Sequence, residues 1–188
     1  MILSYSVPGF PELVETGIKK HSFRRDKKKR WRPGMTIEHW WKSPRNKSQN
    51  PYHIKDGLAV DVCGAVIMLH RGYQTPLVCI DGFFYDIETV AKNDGFANAT
   101  DFVDFFRPNM FQTGSATGSD GIHPIFEWHG RLIMFEPVVY TPDPDFTINT
   151  VLGGYTLWVN HPGKQNIFLE SARENSRLLK YKWPFENL

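Results

Sequence analysis

Three features of the sequence predict a mixed α+β fold, a small barrel of strands with short helices at its rim. Short apolar runs with strand character outnumber helical ones, and the helical stretches fall between groups of strands rather than after each strand. A hydrophobic content of 41% with 14% aromatics is enough for a packed core. The resulting order, β-α-β-β-β-β-α-α-β, places too many strands between helices for a doubly wound parallel sheet. With 188 residues, one domain with an appendage can bury that core without disulfide or metal support.

Taken in order, residues 1–6 are short and apolar and read as an opening strand, stopped by Pro8. Phe10, Leu13 and Val14 recur at helical spacing, and Gly17 suits a helix C-cap. Residues 19–24 alternate as a strand, so Ser22 and Arg24 share one face; strict alternation puts Lys19 on the other, unless a bend at the helix exit brings it round. Pro33-Gly34 turns the chain into a strand over residues 35–42, and residues 44–50 form a polar loop. Residues 58–69, LAVDVCGAVIML, are the longest strand-like run, with Gly64 placed for a bulge or kink. A hairpin over residues 76–85 turns at Asp81-Gly82. Two short helices follow over residues 87–92 and 99–106, the second begun by Asn98 or Thr100 and ended before Pro108.

Residues 112–121, QTGSATGSDG, read as a flexible insertion; they lack the lysine and spacing of a phosphate-binding loop. Residues 131–135 form another strand, after a His129-Gly130 turn. The prolines and aspartates of residues 137–144 mark a domain exit, which assigns residues 1–137 to the barrel and 138–188 to a C-terminal extension. That extension reads as a hairpin, residues 146–151 and 155–160 around Gly153-Gly154, then a helix over residues 166–180, and offers a surface for a protein partner.

Charge is distributed very unevenly. Residues 17–47 hold twelve lysines and arginines against Asp26 and Glu38, a net of +10 in a chain whose total is +2. The remainder is therefore −8. A cationic segment in an otherwise acidic molecule points to a polyanionic partner that presents phosphate, with single-stranded nucleic acid as one candidate. Arg24, Arg25, Lys27, Lys28, Lys29, Arg30, Arg45 and Lys47 are the candidate phosphate contacts, with Trp31 as a ring on which an unpaired base could stack. A solvated basic loop is the plainer alternative, and a tryptophan is more often core. Of the adjacent Trp40 and Trp41, a strand turns only one inward.

Other classes are disfavoured. Cys63 and Cys79 lie in apolar runs without ligand-like spacing, which fits space-filling thiols in a reducing cytoplasm. The N-terminal residues lack a signal-peptide pattern, and no apolar run reaches the roughly 18 residues needed to span a bilayer. The seven histidines show no metal-binding spacing, no cofactor motif is present, and G-x-S-x-G is missing.

One resemblance joins the two halves. Gly17, Lys19, Ser22 and Arg24, followed by Arg30-Trp31, Pro33-Gly34 and Arg45, resemble the opening of the ASCH domain, a branch of the PUA-like barrel superfamily. Ile80-Asp81-Gly82, Asn93-Asp94-Gly95-Phe96, Asp101-Phe102 and Phe105-Phe106 are similar to the later course of such domains, some of them phage-encoded. The resemblance covers residues 1–137. It implies a PUA-like barrel that binds RNA or a modified nucleoside in a pocket of Lys19, Ser22, Arg24 and Asp94. It also implies an alternative, a hydrolase of the acetylcytidine-amidohydrolase or ribonuclease kind with Lys19, Ser22 and Asp94 as catalytic groups. In the amidohydrolase the last two are threonine and glutamate; aspartate reaches one methylene less far, and misplacing a catalytic group costs on the order of a hundredfold. A third reading is a phage-type protein that occupies a host nucleic-acid-processing protein.

Overall fold

The computed structural model describes residues 1–70, 76–118 and 121–140, and three short strands beyond them. The chain opens with β1 (Ile2–Tyr5), which turns Leu3 and Tyr5 inward, and α1 (Phe10–Glu15), which buries Phe10 and Val14. Next come β2 (His21–Arg24), β3 (Thr36–Trp41), β4 (Tyr52–Leu58) and β5 (Asp61–His70). The hairpin of β6 (Leu77–Ile80) and β7 (Phe83–Tyr85) turns at Asp81 and Gly82, both at positive φ (48° and 87°). In α2 (Ile87–Asn93), Asp86 caps the N-terminus by accepting from the amides of Glu88 and Thr89. Asn98 does the same for α3 (Ala99–Phe106) through the Asp101 amide. A pair of long strands, β8 (Phe111–Gly118) and β9 (Gly121–Met134), completes the described core.

Two sheets result. In the smaller, β3 lies between β1, parallel to it, and β4, antiparallel. The larger is organised on β9, which pairs with β5 from Asp61↔Met134 to His70↔Ile125. On the opposite edge of β9, β2 covers residues 131–134 and β8 covers residues 121–127, so β2 and β8 lie end to end along one edge. Beyond β5 come β6 and β7. Beyond β8 come β12 (Ile167–Glu170), β11 (Thr156–Val159) and β10 (Ile148–Asn149). The fold is thus α+β with a sheet-rich core and a few short helices, and the pairings among the described residues leave both sheets open.

Several expectations change. Of the expected flexible insertion, residues 112–118 and 121 are strand instead: β8 and β9 pair from Phe111↔Glu127 to Gly118↔Gly121, because β9 continues past the end of β2 and offers an edge. His129-Gly130 is no turn, since Gly130 pairs with Ala65 inside β9. A Cβ on Gly130 would sit 2.2 Å from the Trp128 ring and 2.6 Å from the Arg24 carbonyl oxygen, so glycine there permits close approach of chain and ring. Gly64 makes no bulge; it pairs in register with Arg131 and donates its amide to Asp81 Oδ1 at 2.6 Å. β4 occupies residues 52–57, to which no element was assigned, and takes Leu58 from the start of the expected long strand. In the extension, β10 and β11 form the expected antiparallel pair, and their turn lies outside the described residues. Ile167–Glu170 is a strand rather than part of a helix, because β11 gives its apolar run an edge to pair with: Leu157↔Leu169 and Trp158↔Phe168. The rest of the expected helix lies outside the described residues.

Candidate functional site

The C-terminus of α2 is where the two halves of the chain meet. Asp94 is the C-cap, Gly95 follows at φ +88°, the Gly95 amide bonds to the Lys92 carbonyl (3.0 Å), and the Phe96 amide bonds to the Ala91 carbonyl (3.0 Å). This paired return is a Schellman motif, and glycine suits its left-handed position. The motif leaves the Asn93 and Asp94 carbonyls free for partners from elsewhere. The Lys20 amide takes the first at 2.7 Å. Lys19 Nζ takes the second and also lies 2.7 Å from Asp94 Oδ1.

Lys19 is fully buried, and the Asp94 side chain is 3% exposed. The ammonium also stands 4.2 Å from the centre of the Phe10 ring, whose face favours a cation. A positive charge at a helix C-terminus complements the peptide dipoles. Burial is nevertheless the larger influence, and it draws the Lys19 pKa down to about 8, with the Asp94 carboxylate opposing it.

Around this ion pair lies a set of polar groups. His21 Nδ1 is 3.4 Å from Asp94 Oδ1 without hydrogen-bond alignment, and His21 Nε2 meets the Tyr140 hydroxyl. Burial lowers the His21 pKa, so the ring is neutral at pH 7. In the tautomer with its proton on Nδ1, facing the carboxylate, Nε2 accepts from the Tyr140 hydroxyl. The Tyr5 hydroxyl bonds to His39 Nδ1 at 2.7 Å, and burial draws His39 down to about 4. His39 Nε2 has no hydrogen-bond partner among the described residues. Arg24 lies 5.4 Å from the centre of the Tyr5 ring, donates Nε to Ser22 Oγ at 3.0 Å and bonds to the Ser4 carbonyl at 2.9 Å.

Lys19 and Asp94 therefore meet, although seventy-five positions separate them. Ser22 joins Arg24 instead. No hydrogen bond connects the Lys19 ammonium to the Ser22 hydroxyl, and Ser22 is 4% exposed. Sequence reasoning missed Tyr5, His21, His39 and Tyr140 as members of this cluster. His21 carried the one available signal, its place on the Lys19 side of β2; Tyr140 sat in a segment read as a domain exit.

The basic residues separate into anchored and free. Asp26 is 7% exposed; its Oδ2 accepts from the Trp31 amide at 2.9 Å, and its carbonyl accepts from the Lys29 amide at 2.9 Å. Lys29 adopts φ +47° to close the turn. Trp31, expected to offer a stacking ring, is instead 6% exposed and belongs to the core, because this turn folds it under the cations. Lys27, Lys28, Lys29, Arg30 and Arg32 are exposed around the anchor. Arg25 is exposed as well and reaches across to the Asn109 carbonyl. Arg45 and Lys47 are exposed in the loop after β3, and no hydrogen bond or ion pair joins them to the turn. Trp41 rests partly on the core with Lys42 Nζ 4.5 Å from its ring centre, while Trp40 packs on His53.

Cys63 and Cys79 are buried free thiols; burial raises both, Cys79 to about 11, which leaves them unreactive. Among the described residues no group of three or more His, Cys, Asp or Glu could hold a metal ion, and no helix is long and apolar enough to cross a membrane. No protein-family model, curated protein or solved structure matches this chain.

Proposed function

We propose that the chain is a nucleic-acid-binding domain of the ASCH, PUA-like kind, which grips phosphates with the basic turn after β2. The observation that carries this reading is the Asp26 anchor. A merely solvated charge run needs no buried carboxylate, whereas here one buried acid and one buried tryptophan hold five exposed cations, Lys27, Lys28, Lys29, Arg30 and Arg32, on a single turn. The meeting of Lys19 with Asp94 across the Gly95 motif supports the ASCH resemblance.

The inner cluster favours binding over hydrolysis. A serine nucleophile needs a base at its hydroxyl. Ser22 Oγ accepts from Arg24, and Lys19 is held twice by Asp94. Of the four expected pocket residues, Arg24 alone is more than marginally exposed, and it leads directly into the turn.

The test is a titration of fluorescent single-stranded oligonucleotides against the chain and against a charge-reversed variant (Lys27→Glu, Lys28→Glu, Lys29→Glu, Arg30→Glu). The reversal should weaken every sequence alike and flatten the salt dependence. Equal binding by both proteins would refute the proposal.

A further inference from the structure

Three large aromatic side chains stand out on the surface of the larger sheet and its helices: Phe83 (58% exposed), Phe105 (46%) and Phe111 (45%). Phe111 is distinguished by its position. It starts β8 opposite Glu127, four residues along β9 from the Arg24↔Arg131 pair, or about 13 Å at the rise of a strand. The junction between β2 and β8 is thus bordered by Arg24 at one end and Phe111 at the other. The Arg25 guanidinium spans this junction to the Asn109 carbonyl, two residues before Phe111. The basic turn therefore departs from the strand edge on which the exposed ring sits.

The ring is backed and aimed. Phe111 lies 5.4 Å from the His129 ring at 32°, and His129 is held in turn by Glu127 at 2.5 Å. A register shift between Gln112 and Gly114 places a bulge just after Phe111, a distortion that re-aims side chains at strand ends. An exposed ring packed on a histidine, on the strand edge from which a cationic turn departs, is suited to stack on an unpaired base, because every base has a π-face while a duplex hides its own.

We infer that Phe111 is a base-stacking platform and that the ligand of the basic turn is single-stranded nucleic acid rather than duplex. This inference rests on the proposed function. Phosphates lie along the turn, and one base leaves the strand to sit on Phe111. The platform is sequence-tolerant, since stacking reads no base edge.

The experiment measures fluorescence anisotropy with labelled oligouridylate and oligothymidylate of about 12 nucleotides, within the span such surfaces cover, and with a duplex of equal length. Wild type, Phe111→Ala, Phe111→Trp and Phe83→Ala are compared. Phe83 lies on β7, at the far side of β5 from β9, and serves as the control. Phe111→Ala should lose roughly 5- to 140-fold in affinity for single strands, with the salt slope unchanged. Phe111→Trp should retain or gain affinity, Phe83→Ala should match wild type, and the duplex should bind more weakly. If wild type binds single strands but Phe111→Ala binds as well, or if duplex competes equally, the platform is refuted while the basic turn stands. If wild type binds nothing in a salt-sensitive way, the turn fails and the platform with it.

Discussion

Lys19 and Lys28 lie nine positions apart in one basic segment, yet they occupy opposite physical regimes. Lys19 is sealed against a carboxylate, a helix-end carbonyl and a phenylalanine ring; Lys28 stands in water on a turn whose own acid is buried beneath it. In the first setting, charge is structural, because removing either partner strands the other in a poorly solvated interior. In the second, charge is available: among the described residues Lys27, Lys28, Lys29 and Arg32 make no ion pair, and Arg30, 3.8 Å from Asp26, keeps its side chain 65% exposed. The segment thus divides into a part that fastens β2 to α2 and a part that faces a ligand.

The sharpest way to break this comparison is to remove one member of the buried pair. Lys19→Met should destabilise the fold by about 3–5 kcal/mol, as expected for an uncompensated buried charge, while Lys19→Met with Asp94→Asn should recover much of the loss. Lys28→Ala should stay within about 0.5 kcal/mol of wild type. Urea unfolding measures all three, and equal effects of the two lysine substitutions would erase the distinction.

Acid offers a second, smaller effect. Folded His39, its pKa drawn down to about 4 by burial, takes up its second ring proton later on acidification than the unfolded chain, which does so near the ordinary 6.5. Between these values the unfolded state binds more protons, so stability is lost as pH falls through that window. His21, also lowered by burial, acts in the same direction. The urea midpoint should fall between pH 7 and pH 4.5, and the fall should be shallower in His39→Gln. A flat profile in the wild-type chain would contradict the burial of both rings.

The smallest effect sharpens the outer region. Asp26→Ala frees the Trp31 amide and the turn it closes, at a cost of about 1–3 kcal/mol. It removes a negative charge from the cationic surface, so a loss of nucleic-acid affinity despite the gain in net charge would show that the shape of the turn matters. Unchanged or tighter binding would mean that charge alone suffices.

What the sequence made legible was local. Capping residues announced α2 and α3, Asp81-Gly82 announced its hairpin, and the alternation around Ser22 put it beside Arg24. The meeting of Lys19 with Asp94 was legible through the ASCH resemblance, since no periodicity links residues so far apart. Pairing partners were illegible. The two glycines and Ser115 of β8 carry little strand preference, and pairing with the edge of β9, joined on the other side by β12, makes a strand of them. Trp31 looked available beside arginines because the Asp26 bond that folds it inward has no signature in composition. Tyr5, His39 and Tyr140 joined the inner cluster through tertiary contacts alone.

The most direct measurement is the salt dependence of single-strand binding. With five exposed cations on the turn contacting phosphates, log K against log salt should fall with a slope of about −3.5, and the charge-reversed variant should lose most of it. A slope near zero in the wild-type chain, or the same slope in both proteins, would contradict the assignment of the outer cations to a nucleic-acid ligand.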